Sequence, residues 1–230
     1  ISLQSESHTP PNVSYQQQRV LVLRDEYQWV ALVGVPLSAK PGWHIVIDQH
    51  TGTDYRFLVK DKKYKTQRLT VKKRQFDLQR IQRERELIKA AFATPWRATT
   101  TSPLPLMQPV KGRFSSSFGL RRYFNGKPGN PHTGLDIAVQ QGTPVAAPAA
   151  GIVVNTGHYF FTGNTVLIDH GQSVVTLYAH LHTMAVSPGD LVERGQTIGT
   201  VGKTGRVTGP HLHWSVSLNQ IMIDPKLVMQ

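Results

Sequence analysis

The sequence predicts a mainly β protein, with a small N-terminal β domain that ends in a helix, a linker, and a C-terminal antiparallel β domain. Three observations support this fold class. Apolar and β-branched runs of strand length, separated by Gly, Pro and Asp turns, occur in both halves of the 230-residue chain. One stretch between them has helical periodicity. A segment rich in Pro and Thr follows that stretch and separates the two halves.

The N-terminal domain is expected over residues 13–93, after a polar tail at residues 1–12 that we expect to be flexible. Its strand-like runs recur at the spacing that is typical of a small β-sandwich or barrel. They read RVLVL, WVALVGVPL, WHIVID and YRFLVK.

The stretch RQFDLQRIQRERELIKAAF predicts the helix that closes this domain. Ile81, Ile88 and Phe92 lie on one face of such a helix, with Leu78 and Leu87 beside that face. Charged residues fill most of the remaining positions, so we expect an amphipathic surface helix.

Residues 94–107 predict a linker, because Pro95, Pro103 and Pro105 and three consecutive threonines favour an extended chain. The C-terminal domain is expected over residues 108–230. Short strands predominate there, and no stretch after the linker has convincing helical periodicity. The strand-like runs are GIVVNTG, NTVLIDHG, SVVTLYAHL, MAV, LVERGQTIGTVG and HLHWSVSL.

Composition limits the chemistry that this chain can support. It has no cysteine, so disulfides and thiolate metal sites are excluded, and any metal must be held by His, Asp or Glu. No apolar run is long enough to span a membrane. The chain begins at Ile1 and lacks a basic-then-apolar leader, so we expect that a signal or an anchor was removed.

The net charge of +12 is unevenly distributed. Residues 56–97 hold 14 Lys and Arg against 4 Asp and Glu, whereas residues 112–230 hold 8 against 5. The basic segment at residues 60–89 is compatible with a solvated helix face or with attraction to anionic wall or membrane polymers. Nucleic acid is disfavoured, because no binding motif or aromatic platform accompanies the charge.

The tripeptide HLH occurs twice, at His180–His182 and at His211–His213. Side chains alternate across a strand, so His211 and His213 share one face in the second copy. Leu212 begins the opposite face, which Trp214, Val216 and Leu218 continue, and that apolar face is expected to be the core.

His132 and Asp136 form an H-x-x-x-D pair in NPHTGLDIAV. Gly134 and the preceding prolines disfavour a helix, and an extended segment also places the pair on one side. With one histidine of a later strand, this pair would make a two-His, one-carboxylate site that leaves a coordination position open for chemistry. Either motif alone arises often by chance, and an isolated histidine is usually an ordinary polar residue.

Three segments together resemble the LytM/lysostaphin-type zinc metallopeptidases of bacterial cell walls: PHTGLDIA, YAHL and GKTGRVTGPHLHW. The resemblance continues through APAAGIVV, GNTVLIDHG and SPGDLVERGQTIGTVG, and covers residues 108–228. The N-terminal half also resembles the β domain that precedes such peptidases in some Gram-negative proteins, chiefly at GVPLSAKPG and Tyr64–Lys89.

The resemblance implies a role for five residues. His132, Asp136 and His213 match the ligands of one Zn²⁺ per chain, and His180 and His211 match the two remaining active-site histidines. No H-E-x-x-H glutamate is present, so the general base stays open between His180 and His211.

Neighbouring residues are expected to have lesser roles. His182 and Tyr178 would share the face of His180 on a regular strand, so both are candidates for contacts near the cleft. His170 and Asp169 are expected to be structural residues at a hairpin turn.

The implied function is hydrolysis of peptide bonds in the stem peptides or cross-links of peptidoglycan, in the periplasm or, alternatively, in a secreted or surface-associated form. A different class of function is a wall-binding adaptor that activates another peptidoglycan hydrolase, although the complete ligand set argues against it. A swinging-arm carrier domain is disfavoured because the lysine expected at a hairpin tip is missing.

Overall fold

In its described residues, the N-terminal half has eight short strands and one helix. In the computed structural model, residues 1–5, 8–70 and 77–230 are described. The elements of this half are β1 (Ser2–Leu3), β2 (Val13–Tyr15), β3 (Gln18–Arg19), β4 (Leu21–Asp25), β5 (Gln28–Leu32), β6 (Gly42–Asp48), β7 (Asp54–Val59), β8 (Thr66–Leu69) and α1 (Leu78–Phe92).

Two antiparallel sheets in this half share one core. One sheet has the order β1-β5-β4 and the other the order β3-β2-β6-β7. Their buried side chains form a single apolar cluster, as expected for a small sandwich: Leu3, Val13, Tyr15, Val20, Val22, Trp29, Ala31 and Val46. The predicted β architecture of the N-terminal half is therefore confirmed.

The first residues of the chain belong to this sandwich and are not a free tail. Strand β1 pairs with β5, and the Ile1 ammonium donates to the Ala31 carbonyl at 2.9 Å. Leu3 is buried in the core, and this apolar contact holds the segment in place. Glu6 and Ser7, within the predicted tail of residues 1–12, lie outside the described residues.

Helix α1 packs one face against the C-terminal half. The Asp77 carboxylate accepts a hydrogen bond from the Arg80 backbone N–H at 2.9 Å and caps the helix start. Residues 74–76, with which the predicted helix begins, lie outside the described residues. Ile81 and Ala91 are buried, whereas Leu78 and Leu87 are exposed to solvent.

Residues 94–107 connect the halves outside the regular helices and strands, as a linker would, but they are anchored. Arg97 donates to the Asp169 carboxylate at 3.3 Å, and Gln172 donates to the Thr99 hydroxyl at 2.6 Å. Leu106 is completely buried. The domain boundaries at residues 93 and 107 remain predictions.

The C-terminal half contains twelve strands, and most belong to a ten-stranded antiparallel sheet. The strands are β9 (Arg113–Ser116), β10 (Arg121–Phe124), β11 (Lys127–Pro128), β12 (Leu135–Ala138), β13 (Pro144–Ala146), β14 (Gly151–Tyr159), β15 (Gly163–Asp169), β16 (Val174–Met184), β17 (Leu191–Val192), β18 (Thr197–Val201), β19 (Leu212–Leu218) and β20 (Ile221–Ile223). A three-residue 3-10 helix, Pro225–Leu227, follows. The predicted β architecture of this half is confirmed.

The two faces of the large sheet have different roles. In the order β17-β14-β15-β16-β19-β12-β9, strands β16 and β19 are central. Tyr178 lies opposite Trp214 on the face that forms the main core, and Leu212, Val216 and Leu218 are buried there as predicted. The other face carries Leu177 and Ala179, which pack beneath α1, and then continues to His213.

The two halves are joined by backbone pairing as well as by packing. Strand β8 pairs in parallel with β10, so the N-terminal half adds a strand to a hairpin of the C-terminal half. Farther away, the Gly34 N–H donates to the Asn219 side-chain oxygen at 2.6 Å. No helix among the described residues is long and apolar enough to cross a membrane.

His170 and Asp169 lie at a turn beside the core, where a structural role was expected. The His170 Nδ1–H donates to the Ala150 carbonyl at 2.9 Å, and Nε2 accepts from the Thr176 hydroxyl at 2.8 Å. Asp169 accepts from the Gly171 N–H at 2.7 Å. Burial lowers the pKa of His170 from 6.5 to about 4, so the folded protein holds this imidazole neutral.

We expect His170 to make the protein less stable as the pH falls from about 6.5 to about 4. In that window the unfolded chain binds a proton that the folded chain excludes, so the free energy of unfolding decreases, by up to roughly 3 kcal/mol. Chemical denaturation of the wild type and His170→Gln between pH 8 and pH 4 checks this. At pH 7.5 the free energy of unfolding of His170→Gln should be lower than that of the wild type. This difference between the two proteins should become smaller as the pH falls. If the free energy of unfolding depended on pH in the same way in both proteins, the expectation would be contradicted.

Candidate functional site

Three side chains converge on one point at the end of the central strands. His132 Nε2 lies 3.0 Å from Asp136 Oδ1, and His213 Nδ1 lies 2.8 Å from the same oxygen. His132 Nε2 and His213 Nδ1 are 3.0 Å apart. These three are the residues that the sequence analysis grouped as metal ligands, and the fold brings them together from positions 81 residues apart.

Strand register places Asp136 and His213 on the same side of the sheet. They are direct partners in the antiparallel pairing of β12 with β19, and such partners point to the same face. Leu135 and Ile137, which flank Asp136, point into the core and are fully buried. Alternation along β12 therefore places the carboxylate on the face opposite the core, with no helix involved.

His132 is held in position by its own backbone. The Gly119 N–H donates to the His132 carbonyl at 2.8 Å, and the His132 N–H donates to the Leu120 carbonyl at 3.0 Å. Gly134 lets the next strand approach closely, because a Cβ there would lie 2.7 Å from two ring atoms of His213.

Outer hydrogen bonds orient the two imidazoles. The His132 Nδ1–H donates to the Ser117 carbonyl at 2.9 Å, so Nε2 presents a lone pair to the cluster. His213 Nε2 contacts the Ser215 hydroxyl at 2.9 Å, which leaves Nδ1 facing Asp136. A metal-binding histidine usually has such a partner on its second nitrogen.

The donor set suits Zn²⁺. Ligand atoms around a tetrahedral Zn²⁺ lie about 3.3 Å apart, and the three atoms of the cluster are close to that separation. Two imidazole nitrogens and one carboxylate oxygen leave a fourth position for water or substrate. Among the described residues, this is the group of His, Asp and Glu side chains with the spacing of a metal site.

The electrostatics of the cluster favour a bound cation. Burial alone would raise the pKa of Asp136, but the adjacent rings of His132 and His213 outweigh that effect and lower it. Burial lowers the pKa of His213 even though Asp136 opposes the shift. The carboxylate is therefore charged and the His213 ring neutral at neutral pH, as coordination requires.

Two more imidazoles border the cluster. The ring centre of His180 lies 4.9 Å from that of His211 and 6.1 Å from that of His213. The Nδ1–H of His180 donates to the Thr204 carbonyl and that of His211 to the Gly209 carbonyl, each at 2.9 Å. Both rings therefore keep Nε2 available for a proton. Burial lowers the pKa of His180 to about 3, and repulsion from His213, when both rings are protonated, adds to the shift.

His180 reaches the site through a break in its strand. Ala179, opposite His213, occupies the site face of β16, so strict alternation would direct His180 into the core beside Tyr178. A register shift occurs here, and His180 adopts a left-handed φ of +63°. This β-bulge redirects the imidazole to the site face.

The bulge corrects two expectations that assumed a regular strand. Tyr178 does not line a groove: it is fully buried in the main core, and its hydroxyl lies 2.7 Å from that of Thr176. His182 does not share the environment of His180. It is exposed, and its Nδ1 lies 3.5 Å from the Gln141 amide nitrogen.

Residues that no sequence motif singled out also support the cluster. Ser215 could have been found, because it follows His213 by two positions on the same strand face. Arg122 Nη2 lies 3.7 Å from Asp136 Oδ2, and no motif singled out this arginine. Thr204 and Gly209 act through backbone carbonyls, which carry no signal in the residue type.

We expect His213→Ala to lose the bound metal, because it removes one of the three ligand atoms. Elemental analysis after equilibration with Zn²⁺ measures this. His182→Ala is the matched control: it removes an exposed imidazole outside the cluster and should keep its zinc. Unchanged zinc content in His213→Ala would remove His213 from the ligand set.

Comparison with known proteins follows the same division of the chain. The profile of peptidase family M23 matches residues 130–225, and that of the peptidase family M23 N-terminal domain matches residues 1–62. The chain is 47% identical over 107 residues to the peptidoglycan DD-endopeptidase ShyA of Vibrio cholerae, covering 46% of this chain and 25% of that protein. It is 44% identical over 116 residues to the DD-carboxypeptidase/endopeptidase Mpg of Neisseria meningitidis, covering 50% and 27%.

The chain thus spans about a quarter of the length of these curated relatives. Among solved structures, a zinc-containing peptidase from Vibrio cholerae superposes with a TM-score of 0.50 at 35% identity, covering 53% of this chain and 39% of that one.

A Pseudomonas aeruginosa protein described as a peptidase M23 is similar over both halves. It superposes with a TM-score of 0.80 at 42% identity and covers 96% of this chain and 88% of its own. The likeness therefore includes the N-terminal sandwich as well as the sheet that carries the cluster. The chain belongs to peptidase family M23.

Proposed function

We propose that this protein is a zinc-dependent endopeptidase that hydrolyses peptide bonds in the stem peptides or cross-links of peptidoglycan. The observation that carries the proposal is the convergence of His132, Asp136 and His213 beside two further imidazoles. The relatives named as peptidoglycan DD-endopeptidase or DD-carboxypeptidase/endopeptidase support the substrate class, since they align over the half that carries these residues.

In this proposal, His132 Nε2, Asp136 Oδ1 and His213 Nδ1 hold one Zn²⁺ per chain. When bound, the ion would activate water as a nucleophile and polarise the scissile carbonyl. The Ser117 carbonyl and the Ser215 hydroxyl keep the two imidazoles in the orientation that coordination needs.

His180 and His211 are the proposed catalytic residues. Each ring has its Nδ1–H fixed on a backbone carbonyl, so proton exchange takes place at Nε2. Burial lowers the pKa of His180 to about 3, so its Nε2 is unprotonated at neutral pH. His211 has the same hydrogen-bonding pattern, so either imidazole can serve as the general base while the other meets the oxyanion or the leaving amine.

The proposed location is the periplasm, which fits peptidoglycan as substrate. The proposed division of the chain is an N-terminal β domain to residue 93, a linker over residues 94–107 and the peptidase domain from residue 108.

An adaptor that activates another hydrolase is the competing function, and it would require no chemistry from this cluster.

We expect loss of the His180 imidazole to abolish most cleavage while zinc stays bound. Positive φ strains alanine, so His180→Asn is the better variant, because asparagine tolerates this conformation. Activity on purified peptidoglycan should fall by roughly 100-fold or more, the usual scale of general acid–base catalysis. His182→Ala, measured in parallel, should stay near wild type. Full activity of His180→Asn with zinc bound would remove His180 from the catalytic set.

The same assay separates the enzyme from an adaptor. The isolated wild-type protein with zinc bound should release new amino groups from purified peptidoglycan, because hydrolysis of a peptide bond frees one amine per cut. An adaptor would bind the polymer and release none.

The basic segment predicts salt-dependent binding to an anionic polymer. Arg83, Arg85 and Lys89 of α1 belong to this segment and are at least partly exposed. Co-sedimentation with purified sacculi should decrease steeply between low and high salt, because screening weakens exposed charge pairs. Binding that is independent of salt would count against this electrostatic contact.

A further inference from the structure

A cavity of about 200 Å³ lies where the two halves of the chain meet. We call it the junction cavity. Leu37 and Tyr64 line it from the N-terminal half, and Gly119, Arg121, Arg122 and Pro131 line it from the C-terminal half. The cavity belongs to neither half alone.

Packing and hydrogen bonds fix the side of the junction cavity that the N-terminal half contributes. Gly119 has a φ of +78°, and a Cβ at this position would lie 2.1 Å from the Tyr64 ring. Tyr64 therefore packs directly on the glycine backbone. The pairing of β8 with β10 fixes the same region, and the Arg121 N–H donates to the Lys65 carbonyl at 2.9 Å.

The junction cavity lies next to the metal-binding cluster. Pro131 immediately precedes His132, and Arg122 Nη2 is 3.7 Å from Asp136 Oδ2. Gly119 is hydrogen-bonded to the His132 backbone. A substrate whose scissile carbonyl sits at the cluster would place its neighbouring atoms within reach of the cavity.

The charge of the cavity favours an anion. Arg121 and Arg122 line it, and Lys62 and Arg68 lie over the rings of Tyr64 and Tyr123 at its rim. Asp136, the carboxylate beside Arg122, also lies within 3.0 Å of the ring nitrogens of His132 and His213. The Nε of Arg122 is buried and has no hydrogen-bond partner among the described residues. A guanidinium presents its N–H groups as a planar fork, and this donor geometry matches a carboxylate better than that of any other side chain.

We propose that the junction cavity binds the carboxylate that the substrate carries on the carbon next to the leaving nitrogen. This inference rests on the proposed peptidase function and names its substrate class. Water adds to the scissile carbonyl carbon, the C–N bond breaks, and the freed amine takes up a proton. The carboxylate is unchanged in this reaction and serves only to position the leaving group.

Two parts of peptidoglycan carry such a carboxylate. One is the free C-terminus of an unlinked stem peptide that ends in two D-residues. The other is the carboxylate of a diamino acid whose amino group forms the cross-link. Both present the same chemistry to the two arginines, so both substrates are needed to tell them apart.

The experiment uses the zinc-loaded full chain and two pairs of synthetic muropeptides. One pair is an unlinked stem with a free or an amidated C-terminus, and the other is a cross-linked dimer with the adjacent diamino-acid carboxylate free or amidated. We expect kcat/KM to be roughly 10-fold or more higher for the free acid in at least one pair, the scale of a charge-assisted hydrogen bond. The pair that shows the preference identifies the source.

The variant Arg121→Gln should lower kcat/KM for the free acid, mainly through KM, and leave the amide almost unchanged. Arg121 is exposed at its outer edge, so this change should not disturb folding. Arg122→Gln should act in the same direction, with zinc content measured because Arg122 contacts Asp136. Arg194→Gln is the matched control: this exposed arginine lies outside the cavity, contacts the Pro105 carbonyl, and should behave as wild type.

Equal cleavage of acid and amide by the wild type would overturn this inference and leave the proposed function standing. If Arg121→Gln lowered kcat/KM equally for the free acid and for the amide, this result would also overturn the inference. If the wild type cleaves none of the four muropeptides, the proposed function fails, and the inference fails with it.

Discussion

The pairing of β12 with β19 places Asp136 directly opposite His213, and the rest of the site is arranged around this contact. Antiparallel partners share a sheet face, so the carboxylate and the imidazole meet without any loop having to fold over them. The core side chains on the opposite face, Leu135 and Trp214 among them, hold the register. A slip by one residue would bury the carboxylate in the core and expose the apolar side chains.

Irregularities in the strand backbone position the other side chains of the site. The register of β12 with β9 shifts at Asp136, and β16 is bulged at His180. Bulges of this kind redirect a side chain without ending the sheet, and they recur beside active sites. The left-handed conformation of His180 costs roughly 1 kcal/mol or more, and the hydrogen bond to the Thr204 carbonyl helps to offset it.

The N-terminal half contributes to the same sheet face on which the site lies. Helix α1 covers Leu177 and Ala179, and the face continues uncovered to His213. On the other side of the site, Tyr64 packs against Gly119 and β8 extends the hairpin of β10. The N-terminal half is therefore attached at two places that border the cluster, through helix α1 and strand β8, which lie outside the β-sandwich.

The local sequence pattern was sufficient to predict the strand faces and the position of the helix. Alternation along HLHWSVSL separated the Leu212 and Trp214 face from the histidine face, and Gly134 with its preceding prolines disfavoured a helix for the H-x-x-x-D pair. Helical periodicity located α1. The grouping of His180 with the site came from a resemblance in sequence and not from alternation. Regular alternation predicted that Tyr178 and His182 share the face of His180, and this prediction was wrong.

Only the tertiary structure decided where strands break and what lies across the junction. A bulge depends on the register with neighbouring strands, so the chain near His180 carries no local sign of its left-handed turn. The burial of Leu3 and the approach of Arg122 to Asp136 depend on partners far away in sequence. The sequence by itself determined the residue types of the site and the faces of its strands, because alternation is a property of the local backbone. Long-range pairing decided which side chains meet, because hydrogen-bond register between distant strands is set only when the whole sheet forms.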